Sequence, residues 1–262
     1  MRQELRPYSH LKCSASDGKD SRMKIESLQN QYVKQWTKLH EKKERDKTGL
    51  FLVEGEHLIT EALRAGIVQK ILYTGENPFD FTDCIEVTEP VMKKISQNVS
   101  GAKYIAVCVQ RERTADDPKR VILLDDIQDP GNFGTIIRTA RSFGFDVIYT
   151  SKKTCDLYNE KVIRSTQGAL FTMPVIRCDL AEKIRDLKAE SFRIIGTALK
   201  NAVPMVQIGD TEKMAFLFGN EGQGVHQELL DACDQRLFIE IGDFESLNVA
   251  VAAGIVMYRY RG

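Results

Sequence analysis

Three short stretches in the C-terminal half of the chain carry polar groups of the kinds that bind and react. The first, NFGTIIRTARSFG, opens with Asn132 just after Asp129-Pro130-Gly131 and sets Arg138 and Arg141 three residues apart on one helical pattern. An amide there can cap the helix or hold a ligand, and an arginine supplies permanent charge and a planar fork of donors. The second, FLFGNEGQGV, is an apolar strand running into Gly219, Gly222 and Gly224 around Glu221. Glycines let a backbone approach a ligand and expose N–H donors at a helix start. The spacing is GxxGxG, neither the dinucleotide GxGxxG nor GxxxxGK[ST], so a nicotinamide site and a phosphate loop both lose support. The third, SLNVAVAAGI, sets Ser246 and Asn248 before Ala250, Ala252, Ala253 and Gly254. Taken singly, each stretch is also consistent with plain structure: Asn132 and Ser246 as helix caps, Arg138 as a surface cation, Glu221 as a solvated carboxylate.

These groups need a scaffold that delivers strand ends to one crevice. Continuous apolar runs at residues 121–124, 147–149, 193–196, 214–218 and 237–241, with helical stretches between them, predict a parallel α/β sheet covered on both faces. In such sheets ligands bind beyond the carboxyl ends of the strands. Upstream, Leu28, Tyr32, Trp36 and Leu39 predict a helix from Ile25 that ends in the charged turn EKKERDKTG. Strands follow at 51–53, 68–73, 84–87 and 104–109, with helices at 56–65 and 89–95. Residues 1–22 lack periodicity and read as a flexible leader, with Met23 a candidate start. The division is therefore a small α/β domain over 23–110, a polar linker over 111–119 (RERTADDPK), and a larger α/β domain over 120–262.

With 42% hydrophobic and 28% charged residues the chain is ordinary globular material, and 37 Lys+Arg against 37 Asp+Glu leaves no net charge. No apolar run reaches the roughly 20 residues of a membrane span, and no secretory signal is present, which points to the cytoplasm. Six scattered cysteines without a CxxC pair read as free thiols rather than zinc ligands. The charge is unevenly placed: residues 1–50 hold twelve Lys/Arg against seven Asp/Glu. Lys34, Lys38 and Lys42, with Tyr32, Trp36 and His40 interleaved, form either a solvated amphipathic helix or a track for a phosphate backbone.

Taken in order, the three stretches resemble the signature motifs of the SpoU, or TrmH, family of RNA ribose 2′-O-methyltransferases of the SPOUT class. NEKVIRSTQGALFTMPV resembles the region joining the first two, so the likeness spans residues 121–262. Residues 25–109 resemble, less specifically, the small ribosomal-protein-like RNA-binding domain that precedes many such catalytic domains. The resemblance implies a parallel sheet with a deep trefoil knot, a homodimer, structured RNA as substrate, S-adenosylmethionine as cofactor and no metal. Carried over by position, it implies a cofactor crevice of Thr197, Gly219, Gly224, Ile239, Ser246, Leu247 and Asn248. It implies a catalytic group of Asn132, Arg138, Glu221, Ser246 and Asn248, with Asn132 and Glu221 holding Arg138. Lys161 and Arg164 are candidate phosphate contacts. Ala250 stands where many relatives have serine, so one hydroxyl is missing.

An arginine is effectively always protonated, which favours Arg138 as a stabiliser of developing alkoxide and adjacent phosphate over a literal base. Ribosomal RNA is the expected substrate, with transfer RNA and a catalytically silent assembly factor as alternatives. An oxidoreductase lacks its fingerprint.

Overall fold

The computed structural model describes residues 24–98, 101–242 and 246–262; the leader at 1–22, Met23 and Cys13 lie outside them. The N-terminal part runs β1 (Lys24–Ile25), α1 (Gln31–Lys38), α2 (Lys42–Thr48), β2 (Leu50–Glu54), α3 (Glu56–Arg64), β3 (Val68–Tyr73), β4 (Cys84–Val87), α4 (Glu89–Ile95) and β5 (Tyr104–Val109). Its five strands form one mixed sheet in the order β1-β4-β3-β5-β2.

Two sequence expectations fail here. Ile25 is not helical: it pairs in parallel with Val87, and the chain turns before Asn30 starts α1 by accepting from the Tyr32 N–H. The stretch 42–48 is a second helix rather than a turn, ended by Gly49 at φ +67°. The interleaved aromatics are core groups too. Trp36 is buried and stacks on Tyr32 at 5.9 Å, and His40 Nε2 meets the Ile95 carbonyl at 2.7 Å, so this trio offers no stacking platform for bases.

Alternation along the strands divides this sheet into two faces. Leu52, Leu72, Ile85, Val87, Ile105 and Val107 pack with Val33, Trp36 and Leu39 of the α1 segment and with Val91, Met92 and Ile95 of α4. Phe51, Val53, Ile71, Ala106 and Cys108 pack under α3 on the other face. That second cluster also contains Ile163, Leu170 and Phe171 of the C-terminal part, so the two parts share a core.

Residues 110–119 hold no helix or strand, and β6 (Arg120–Leu124) follows. Then come α5 (Pro130–Ser142), β7 (Val147–Thr150), α6 (Glu160–Thr166), β8 (Val175–Arg177), α7 (Leu180–Ala189), β9 (Arg193–Thr197), β10 (Val203–Pro204), β11 (Met214–Phe218), α8 (Gln227–Asp231), β12 (Gln235–Phe238) and α9 (Val249–Arg259). The seven strands form a wholly parallel sheet ordered β10-β12-β9-β11-β6-β7-β8. Ile122, Leu124, Phe216 and Phe218 point to the α5 and α9 side, and Val121, Leu123, Ala215 and Leu217 to the α7 and α8 side. Each fully buried Val, Leu, Ile or Phe among them contributes roughly 1.5 to 3 kcal/mol, and burial on both faces is why these strands read as unbroken apolar runs. The β12 expectation is displaced: the strand ends at Phe238, leaving Ile239 to Ile241 beyond it.

From β6 the chain moves to β7 and β8 on one side, then returns to build β9, β11 and β12 on the other. The direction of winding therefore reverses between β6 and β11, whose ends are in register at Leu124 and Phe218. Sheets of this kind bind ligands just beyond such a reversal, and the residues next in sequence there are Asp125 and Gly219.

Candidate active site

Two of the three motifs leave strand ends at this reversal. Between Asp125 and α5 the chain bends through Asp126 at φ +55°, and the Asp126 carboxylate accepts the Ser151 hydroxyl at 2.6 Å. Asp129 caps α5 by accepting from the Asn132 N–H at 2.8 Å. Asn132 thus lies in the first helical turn, not at the cap, and its side chain is released for other contacts. At the end of β11, residues 220–224 close a tight loop: Asn220 N–H donates to the Gly224 carbonyl and Gly224 N–H to that of Asn220. The Asn220 side chain fixes the loop inside and out, accepting from the N–H groups of Gly222 and Gln223 and donating to the Asp126 carbonyl at 2.9 Å.

Glu221 is carried by that loop against the start of α5. Its carboxylate accepts from the backbone N–H groups of Gln128 and Asp129 at 3.2 and 3.1 Å and from Asn132 Nδ2 at 3.2 Å. Partial burial pushes its pKa up, but its own backbone N–H, Asn132, Asp129 and Gln128 together hold it below the ordinary glutamate value. Glu221 is therefore a fixed anion at neutral pH. Asn132 Oδ1 in turn accepts from Asn248 Nδ2 at 2.9 Å. The third motif joins by this bond, and Asn248, not Ser246, is the N-cap of α9, accepting from Ala250 and Val251. One residue from each motif thus forms the chain Glu221–Asn132–Asn248, at the N-terminal ends of α5 and α9, where helix dipoles and free N–H groups favour anionic or polar ligands.

Arg138 is absent from this chain. It lies six residues along α5, about 9 Å of rise from Asn132, and neither Asn132 nor Glu221 contacts it. Glu221 is committed to Asn132 and to the backbone of Gln128 and Asp129, and Asn132 to Glu221 and Asn248, so the expectation that they hold Arg138 is corrected. Arg138 is exposed and, among the described residues, has no acidic partner at ion-pair distance. With Arg141 it lines a cleft of about 500 Å³ facing His57, Glu61 and Arg64 of α3.

The expected cofactor residues gather at the strand ends. Thr197 closes β9, its hydroxyl donating to the Leu217 carbonyl at 2.9 Å. Gly219 is buried, and a Cβ there would stand 2.1 Å from the Gly224 carbon and the Val225 nitrogen. Its bareness serves the loop's own closure rather than a ligand's approach. Gly224 is exposed at φ +73° with open space around its Cα. Ile239, half-buried, follows β12; Leu247 is half-buried and Ser246 exposed just before α9. Beyond β9 and β12 the apolar side chains of Leu199, 72% exposed, and Ile241, 37% exposed, stand in solvent. Exposed apolar side chains just past these strand ends suit the flat apolar face of a ligand such as a nucleoside.

Sequence reasoning missed Asp125 and His226. Asp125, buried at the end of β6, accepts from the His226 backbone N–H at 2.9 Å and from its Nδ1–H at 2.8 Å, and this bond raises the His226 pKa. Its position at a strand end was the available signal. The five described cysteines are free thiols whose pKa values are all raised by burial, to about 11 at Cys155 and about 12 at Cys233, which removes a thiolate nucleophile.

Lys34, Lys38 and Lys42 are exposed on α1 and α2; Lys42 pairs with Asp46, and Arg164 on α6 pairs with Glu160 beside exposed Lys161. No described helix is long and apolar enough to cross a membrane.

A polar chain of side chains at the switch point of a parallel sheet marks the place where such a sheet binds its ligand. Residues 119–258 match the SpoU rRNA Methylase family, and residues 30–106 match the MRM3-like substrate binding domain. The chain belongs to the SpoU family of methyltransferases. It is 44% identical to the 23S rRNA (guanosine(2553)-2′-O)-methyltransferase RlmP of Bacillus subtilis (strain 168) over 91% of this chain and 99% of that protein. Among solved structures it resembles an AdoMet-bound rRNA methyltransferase from Sinorhizobium meliloti, with a TM-score of 0.81, 29% identity and coverage of 90% of this chain and 95% of that one. An RNA 2′-O ribose methyltransferase gives a TM-score of 0.78 at 28% identity, covering 90% and 97%.

Proposed function

We propose that this protein is an S-adenosylmethionine-dependent methyltransferase acting on a ribose 2′-hydroxyl of 23S ribosomal RNA, as a cytoplasmic homodimer. The near full-length likeness to RlmP supports the substrate, and the Glu221–Asn132–Asn248 chain uniting the three motifs carries the catalytic reading. Residues 23–110 are the substrate domain and 120–262 the catalytic domain, joined through 111–119, and the trefoil threading of the family is proposed with them.

Thr197, Gly224, Ile239, Ser246, Leu247 and the backbone of Gly219 would hold the cofactor, with the exposed apolar Leu199 and Ile241 offered to it just past β9 and β12. When bound, S-adenosylmethionine supplies a methyl group on a positively charged sulfur that departs as a neutral thioether. The protein's tasks are then to align the 2′-oxygen and to ease loss of its proton. Glu221, fixed as an anion by its donors, anchors Asn132 rather than serving as a base. Asn132 and Asn248 set the ends of α5 and α9 against each other and so shape the crevice floor. Arg138 stabilises negative charge on the ribose oxygen and the adjoining phosphate, and the hydroxyl proton leaves to solvent.

The homodimer reading rests on α9, where Val251 and Tyr258 are 51% and 60% exposed beside a groove lined by Met205, Ile255, Arg259 and Arg261. The test is transfer of labelled methyl from S-adenosylmethionine to unmodified 23S rRNA transcribed in vitro, followed by mapping of alkali-resistant linkages. A single 2′-O-methylated nucleotide is expected. Label on a base, transfer only to tRNA, or no transfer would overturn the reading.

A further inference from the structure

The N-terminal part meets the catalytic part through one face of its sheet. Phe51 lies 4.6 Å from Tyr158 and 6.3 Å from Phe171 between ring centroids, and Arg45, buried on α2, ion-pairs with Asp156. A Cβ on Gly168 would stand 2.8 Å from Cβ and Cγ of Glu61, so α3 touches the segment after α6 with no space to spare. This packing fixes the separation of α3 from α5. Between them lies the 500 Å³ cleft, lined by His57, Glu61 and Arg64 on one wall and Arg138, Arg141 and Thr172 on the other.

The charge in that cleft is one-sided. Arg64 is paired to Glu61, which cancels one positive charge. Arg141 donates only to the Thr172 hydroxyl at 3.2 Å, and neither it nor Arg138 has an acidic partner among the described residues. Two uncompensated guanidinium groups, a third paired to Glu61 and an exposed histidine converge from both parts. The lysines of α1 are elsewhere: α1 packs on the opposite face of the N-terminal sheet, so Lys34 and Lys38 lie away from Arg138.

We propose that the seam between α3 and α5 is the track for the RNA strand at the reacting nucleotide, with Arg64, Arg141 and His57 holding phosphodiester groups adjoining the ribose that Arg138 addresses. This rests on RNA being the substrate. Guanidinium forks match phosphate oxygens, and such contacts position the strand without reading its sequence. Arg138 would then be presented to a strand already fixed by its neighbours on both walls. The rigid packing of Gly168 on Glu61 keeps the two walls at one spacing, so the strand meets a preformed slot rather than one assembled on binding.

The test uses the full chain and unmodified 23S rRNA transcribed in vitro. Arg64→Gln, Arg141→Gln and the double variant are compared with wild type and with Arg185→Gln, a surface change on α7. RNA affinity is measured across a salt series, S-adenosylmethionine affinity by calorimetry, and KM and kcat in steady state. The double variant is expected to bind RNA at least tenfold more weakly, with KM raised more than kcat is lowered and cofactor affinity retained. Its salt slope should fall by about 0.7 for each phosphate that is no longer neutralised. Arg185→Gln should match wild type. An affinity and slope unchanged in a folded double variant would overturn the cleft assignment while leaving wild-type methylation intact. Absence of RNA binding and methylation by the wild type would instead overturn the functional reading beneath it.

Discussion

The side-chain amide of Asn248 donates to the side-chain carbonyl of Asn132 at 2.9 Å, across 116 positions of sequence. Because the Asn132 amide is spent on Glu221, its orientation is set from both sides. Replacing it by alanine removes one of three donors from Glu221 and the acceptor of the Asn248 amide together. Asn132→Ala is expected to lower single-turnover methylation by about 100-fold, the scale of a small misplacement of reacting groups. Asn132→Asp should be worse, since it sets a second carboxylate against Glu221. Parity between the two variants at neutral pH would show that a second carboxylate there does not oppose Glu221.

Gly219 and Gly224 are alike in sequence and differ in structure. A Cβ at Gly219 would penetrate the backbone of Gly224 and Val225, so Gly219→Ala should destabilise the catalytic part by about 3 kcal/mol or more. At Gly224 only the left-handed φ of +73° opposes a side chain, and Gly224→Ala should cost about 1 to 2 kcal/mol. Urea midpoints on the two purified variants decide this. Equal midpoints would mean that the loop opens to admit the methyl group.

Arg45 and Asp156 form an ion pair with side chains only 6% and 19% exposed, and Arg45 also donates to the carbonyls of Leu39 and His40. Removing one partner strands the other charge away from water. Arg45→Leu and Asp156→Asn should each cost roughly 3 to 5 kcal/mol in chemical denaturation. Separate unfolding transitions should then emerge for the two parts. A loss below about 1 kcal/mol in both would make the pair incidental.

His226 gains its Asp125 partner only in the folded chain, and its pKa is raised. The folded state therefore holds this proton to higher pH than the unfolded one. Its stabilisation is complete below the unfolded value of about 6.5 and disappears as pH rises through the folded pKa. The stability gap between wild type and His226→Asn should accordingly be widest below the unfolded value and narrow as pH rises through the folded pKa. A gap that widened with pH would reverse the assignment.

What can be read in the sequence follows from the range of each force. The runs 121–124 and 214–218 are legible as strands because burial on both faces leaves an unbroken apolar signature, and 68–73 and 89–95 because their periods are undisturbed. Ile25 misleads because two residues of parallel edge pairing to Val87 carry no period of their own. Asn132 and Ser246 resemble caps because type and position suit one, yet Asp129 and Asn248 are better placed by the actual chain path. The Asp125–His226 and Arg45–Asp156 pairs span 101 and 111 positions, and no local pattern announces a contact made only when the fold closes.

Arg138 is the sharpest test of the mechanism, because the structure leaves it exposed and without an acidic partner while tying up every polar side chain of the neighbouring Glu221–Asn132–Asn248 chain. A cation free of internal partners contributes little to stability, so Arg138→Ala should melt within about 0.5 kcal/mol of wild type. Its proposed work arises only as charge develops on the 2′-oxygen. Loss of one such preorganised donor typically costs about 100- to 1,000-fold, so single-turnover methylation at saturating RNA should fall by that factor while cofactor affinity holds. Arg138→Lys should recover little, since an ammonium keeps the charge but lacks the planar fork that reaches the ribose oxygen and a phosphate together. If Arg138→Ala instead turns over within a few-fold of wild type, the charge must be stabilised from the α5 and α9 N-termini alone, and the cleft would bind RNA without taking part in the chemical step.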